Sequence, residues 1–116
     1  MAVTISACVE PSLAAGRLFK VLADPTRLAL LRRLADGPAA VSELAEALGN
    51  PPQSRISNHL ACLRWCELVT SDKAGRNVIY RLADPRVLAL VDLACEVAAA
   101  HAEPLATCTR IGPEWM

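Results

Sequence analysis

The sequence predicts a mainly α chain of about five helices carrying one two-stranded β-hairpin, and three observations lead there. Hydrophobic residues make up 53% of the 116 residues while aromatics supply only 3%, so the core must be built from Leu, Val and Ala, which suits helices packed on helices. Helix punctuation is legible, with Asp-Pro pairs at 24–25 and 84–85 and glycines at 37 and 49. Between residues 68 and 82 the apolar period changes from helical to alternating. At this length a single domain, 1–116, is expected, with an N-terminal segment 1–10, a core 11–101 and a tail 102–116.

Leu13, Leu18, Val21 and Leu22 suggest a first helix over 11–22. In LADPTRLALLRRL (22–34), Asp24 caps a second helix and Pro25 takes its first position, where the missing N–H costs nothing. Leu28, Leu31 and Leu34 follow at helical spacing, and Gly37-Pro38 stops the run. VSELAEAL (41–48) is a short helix ended by Gly49, and Asn50-Pro51 offers a cap and start for a longer one over 51–66. A short helix, a glycine-containing turn and a second helix with a polar front make a helix-turn-helix, 41–66. Residues 68–72 and 77–82 are expected to pair as strands about the turn 73–76, with Val78, Tyr80 and Leu82 on one face. This hairpin, 68–82, is a wing. A last helix over 85–101 is apolar nearly all round, so it is expected to pack against its own copy, together with the N-terminal helix, in a homodimer. The remaining tail, broken by Pro104, Gly112 and Pro113, is expected to be irregular.

Formal net charge is zero, which argues against a general nucleic-acid glue. Its distribution is uneven: residues 50–86 carry six Lys/Arg against three acids, and residues 87–116 one Arg against four acids. A basic middle and an acidic tail suit a site-specific binder with a confined footprint. The first charge is Glu10, and no apolar run approaches the roughly 20 residues that cross a bilayer, so a cytoplasmic protein without a membrane partner is expected. In a reducing compartment the five cysteines (Cys8, Cys62, Cys66, Cys95, Cys108) do not suggest a disulfide framework, and their odd number agrees. Metal binding, redox sensing and plain burial remain.

Winding the 51–66 segment at about 100° per residue separates three faces. Leu60, Leu63 and Glu67 fall near Ile56 and define the buried side. Gln53, Ser54, Ser57, Asn58 and Ala61 form a second face of short donors, acceptors and one methyl, the groups that reach base edges in a major groove. Arg55, His59, Cys62 and Cys66 form a third, between core and solvent.

Two thiolates at i and i+4 project from adjacent turns, near enough to share one metal ion. A helix supplies only these two, and Cys108 in the tail is the readiest third donor. Cys8 is either idle or a further ligand. Cys95, inside the apolar last helix, fits a small buried hydrophobe. His59 shares the cysteine face, but a histidine here more often bonds backbone or phosphate, so it is grouped with DNA contacts. His101 and Glu103, with Asp92 or Cys95, would make only a weak zinc-type set, because i,i+2 spacing points the first two apart.

The order helix, helix, helix-turn-helix, wing, helix, with LADPTR at 22–27 and ISNHLxxL at 56–63, resembles the ArsR/SmtB family of bacterial metal-responsive repressors. The likeness covers about residues 11–100. Within the family, SNHLACLRWCELV (57–69), Gly75-Arg76 and YxLAD (80–84) look most like the branch that senses cadmium and lead. That branch's three cysteine ligands, two on the recognition helix and one in the tail, carry over onto Cys62, Cys66 and Cys108. N-terminal cysteines join metal sites in other branches, which would make Cys8 a fourth donor.

The resemblance implies an apo homodimer that binds an inverted-repeat operator in double-stranded DNA and is released by metal. Three thiolates make a soft site suited to Cd(II) or Pb(II), with Zn(II), As(III) or Hg(II) as alternatives. Gln53, Ser54, Arg55, Ser57, Asn58 and His59 would face DNA, and Arg76 in the wing would hold phosphate or minor groove. A thiol redox or persulfide sensor on the same fold is the competing reading, although i,i+4 cysteines on an intact helix are poorly placed to form a disulfide. An enzyme is not expected, since no C-x-x-C opens a helix and no second catalytic group accompanies the thiols.

Overall fold

The computed structural model describes residues 10–111, so the expectations for Cys8 and for residues 112–116 lie outside the described residues. Glu10 caps the first helix, α1 (Pro11–Leu22), its carboxylate accepting from the amides of Ser12 and Leu13. Asp24 does the same for α2 (Pro25–Leu34), accepting from Thr26 and Arg27 at 2.8 and 3.2 Å, with Pro25 in the first turn as expected. Leu30, Leu31 and Leu34 of α2 are buried and Leu28 partly so.

A two-residue strand, β1 (Ala39–Ala40), precedes α3 (Val41–Ala47). Both alanines pair with the second strand of the wing, Ala39 opposite Tyr80 and Ala40 opposite Ile79. The expected two-stranded wing is therefore part of a three-stranded antiparallel sheet, ordered β1-β3-β2, with β2 at Val69–Ala74 and β3 at Asn77–Leu82. Two alanines carry no alternating pattern, which is why this strand is silent in the sequence. The β2–β3 turn is shorter than expected: Ala74 pairs with Asn77 and only Gly75-Arg76 intervenes. Gly75 at φ 66° and Arg76 without a positive φ match a II′ turn, whose twist suits the strands and whose first central position calls for glycine.

The turn before the long helix also differs from expectation. Asn50 does not cap that helix but completes the previous one. Its amide donates to Ala45 O at 2.7 Å, the Gly49 amide donates to Glu46 O, and both residues have positive φ. This is a Schellman closure of α3. The next helix, α4 (Gln53–Trp65), starts two residues later than expected, after Pro51-Pro52.

The last long helix, α5 (Arg86–Ala100), buries Val87 and Val91, while Leu93 and Val97 stay more than half exposed. The tail departs from the irregular segment expected: Ala102–Thr107 forms a short helix, α6, with His101 in the N-cap position but no side-chain capping bond. Pro104 lies in its first turn, where a proline removes no needed hydrogen bond. The core gathers α2, α3, α4 and the sheet around Leu30, Leu31, Leu44, Ile56, Leu60, Leu63 and Val69, and no polar side chain is buried among the described residues. No helix there is long and apolar enough to cross a membrane.

Candidate functional site

The faces of α4 separate as its helical phase requires. Ile56, Leu60 and Leu63 are fully buried, which holds the helix in one rotational setting. Gln53, Ser54, Arg55, Ser57, Asn58 and Ala61 are then exposed together. Arg76 is exposed at the wing tip, and Arg64 Nη1 donates to Ser71 Oγ at 3.1 Å, linking the end of α4 to the wing. Glu67 leaves the buried side expected for it. The helix ends at Trp65, and Glu67 takes φ 62° while Leu68 N–H donates to Leu63 O at 2.9 Å, a second Schellman closure with a charged residue in the left-handed position.

Cys66 is therefore the C-terminal cap of α4, yet its amide still donates to Cys62 O at 3.1 Å. The last turn remains helical, so the two side chains stack on adjacent turns. Cys62 is half-buried and Cys66 exposed. Partial desolvation pushes the Cys66 thiol above its usual range, and the neighbouring Cys62 sulfur adds to this; Arg27 and Arg17 pull the other way. The Cys62 sulfur thus disfavours ionisation of Cys66, a condition that a shared cation relieves.

Arg17, Lys20 and Arg27 line a cleft of about 400 Å³ with Leu18, Val21 and Cys66. Arg27 also donates from Nε to His59 Nδ1 at 3.2 Å and from Nη1 to Val21 O at 3.3 Å. His59 is thus half-buried against α2, and its Nδ1 is committed within the protein. This basic group is absent from the sequence-based expectations. One signal for it is legible: Arg27 sits in the first turn of α2, where a cation opposes the helix dipole and so needs a tertiary reason.

Among the described residues no three His, Cys, Asp or Glu side chains gather about one point. One chain therefore brings together Cys62 and Cys66 but not Cys108, which is exposed at the end of α6. Cys95 is not the buried hydrophobe expected. It is exposed in the single chain, and Arg32 Nη2 donates to its Sγ at 2.9 Å. It borders an apolar depression of about 290 Å³ between α1 and α5. His101, Glu103 and Asp92 form no metal group with it. As a donor set, two adjacent sulfurs with an open approach fit a soft cation and lack only further ligands.

Residues 24–71 match the family model described as "Bacterial regulatory protein, arsR family". The chain is 43% identical over 107 residues to a probable mercury resistance operon repressor of Streptomyces lividans, covering 92% of this chain and 84% of that one. It is 47% identical over 77 residues to the HTH-type transcriptional regulator CmtR of Mycobacterium bovis, covering 66% of this chain and 64% of that one. Among solved structures, the homodimeric winged helix-turn-helix domain of Mb0332 from Mycobacterium bovis aligns with TM-score 0.64 and 35% identity, over 77% of this chain and 82% of that one. The chain belongs to the arsR family of bacterial regulatory proteins and is a regulator, not an enzyme.

Proposed function

We propose that this ArsR-family chain is a metal-responsive transcriptional repressor that binds an inverted-repeat operator as an apo homodimer and releases it on taking up a soft, thiophilic cation. One observation carries the reading: α4 exposes short polar side chains on one flank and the Cys62–Cys66 pair on another, so one rigid helix can answer to both DNA and metal. Gln53, Ser54, Ser57 and Asn58 face base edges, Arg55 and Arg76 face the DNA backbone, and His59 buttresses the helix from α2. Two such helices about 34 Å apart enter successive major grooves.

The whole chain acts as one domain, with its core over 11–101. Half-exposed Leu13, Phe19, Leu93 and Val97, on α1 and α5, supply the apolar surface that a second copy covers. Cys108, brought up by its tail from the same chain or from the second copy, is the third thiolate, and Cys8 is the candidate for a fourth. The metal, when bound, ties the recognition helix to a tail and supplies no chemistry beyond that constraint. If the tied geometry fits DNA poorly, metal and operator disfavour each other by a coupling typically of about 1–3 kcal/mol.

Cd(II) or Pb(II) is the favoured inducer, on the likeness of the α4 cysteine spacing to that branch. Hg(II) is the second reading, supported by the mercury resistance repressor that matches over 92% of the chain. The test uses a duplex selected from random sequence by the apo protein, titrated with Cd(II), Pb(II), Hg(II), Zn(II) and As(III) while anisotropy reports binding. Release by a soft cation from the wild type, but not from Cys62→Ser at the same concentration, is expected. Equal release from both variants places the sensing site elsewhere.

A further inference from the structure

We propose that the cleft formed by Arg17, Lys20, Arg27 and Cys66 is a docking site for the metal as an anionic complex of small carboxylate-bearing thiols, and not for the hydrated cation. The proposal rests on the Cys62–Cys66 reading above. Three cationic side chains line the cleft that holds Cys66, one member of the cation-binding pair, an arrangement that repels a bare dication. Among the described residues none of the three is in an ion pair, whereas Arg32, Arg81 and Arg86 each have a carboxylate partner. The unmet demand is for negative charge.

In a medium rich in thiols, a soft dication is held by thiolates, and two or three ligands that also carry carboxylates make the complex anionic. Such a complex meets the cleft on both counts: its carboxylates pair with the guanidinium and ammonium groups, and its metal arrives beside Cys66. Apolar Leu18 and Val21 give the walls, and about 400 Å³ suits a ligand of this size. Transfer is a ligand exchange. A metal–sulfur bond to the small thiolate breaks as one to Cys66 or Cys62 forms, and the cysteine proton leaves on the displaced thiolate, so nothing is oxidised or reduced.

The test follows uptake by stopped-flow tryptophan fluorescence, with metal content measured after desalting. Apo full-length protein is mixed with Cd(II) pre-bound to mercaptosuccinate, which is anionic, or to 2-mercaptoethanol, which adds no carboxylate. Wild type is expected to take Cd(II) from the mercaptosuccinate complex about tenfold faster at low salt, with the advantage lost in Arg17→Gln/Lys20→Gln and in about 0.5 M salt. Both side chains are exposed, and Lys20→Gln alone serves if the double variant does not fold. Equal rates for wild type and variant overturn the docking site. If Cys62→Ser retains as much Cd(II) as wild type, the thiol site itself fails and this proposal with it; if Cys62→Ser loses Cd(II) while removing the cations changes no rate, only the docking site fails.

Discussion

Arg27 Nε lies 3.2 Å from His59 Nδ1, so the guanidinium at the start of α2 fixes a side chain on the recognition helix while it borders the cleft that holds Cys66. In this bond Nδ1 is the acceptor, which fixes the plane of the imidazole against α2. The thiol pair and the rotational setting of α4 thus share one residue.

Replacing Arg27 by Ala removes the bonds to His59 and to Val21 O, and a loss of about 1–2 kcal/mol in chemical denaturation is expected. Arg27→Lys keeps the charge beside Cys66 but not the planar Nε donor, so it is expected to lose a similar stability while preserving the rate of metal uptake. Full stability in Arg27→Lys would remove the His59 contact as a contributor.

Metal affinity is expected to rise with pH. The Cys66 thiol is pushed up, by desolvation first and Cys62 second, so at neutral pH the metal must displace its proton. Each thiol still protonated weakens apparent affinity about tenfold per unit of acidification. Competition titrations at several pH values read this slope directly, and a flat profile contradicts thiolate ligation.

On the DNA side, Arg76→Ala is expected to weaken binding to all duplexes alike and to reduce the slope of log affinity against log salt by about 1. Ser57→Ala is expected to leave that slope intact and relax discrimination at one base position, by about 1–3 kcal/mol. Anisotropy at a series of salt concentrations, with matched and mismatched duplexes, separates the two.

Glu67 holds a left-handed conformation at φ 62° without being glycine. Glu67→Gly is expected to stabilise the apo protein by about 1 kcal/mol, because the penalty of a Cβ in that region disappears. A denaturation midpoint at or below that of wild type would mean the Glu67 side chain contributes more than its backbone costs.

Introducing charge into the apolar surface of α5 should dissociate the proposed dimer. Val97→Glu, at a position 53% exposed in the single chain, is expected to leave the monomer folded and to halve the mass seen by sedimentation. An unchanged mass would move the interface off this helix.

Much of the arrangement was legible because its causes are local. Asp24 and Pro25 begin α2 by satisfying or omitting amides that have no helical partner, and this needs no other part of the chain. Asn50 misled for a related reason. A side chain suited to capping the next helix also tolerates the left-handed φ that closes the previous one, and only the amide bond to Ala45 O distinguishes the two. The Ala39–Ala40 strand and the α6 helix were hidden, since two alanines show no period and a proline in a tail resembles a break until it falls in a first turn.

By itself, the sequence determined the starts of α1, α2 and α3, whose signals are local, and the division of α4 into buried, polar and cysteine-bearing flanks, because rotation per residue is a property of the helix alone. Tertiary structure decided which groups share a cleft with Cys66: Arg17, Lys20 and Arg27 arrive from two other helices, while Cys108 stays apart. Contacts between elements depend on how their apolar faces seat against one another, and no local spacing encodes that.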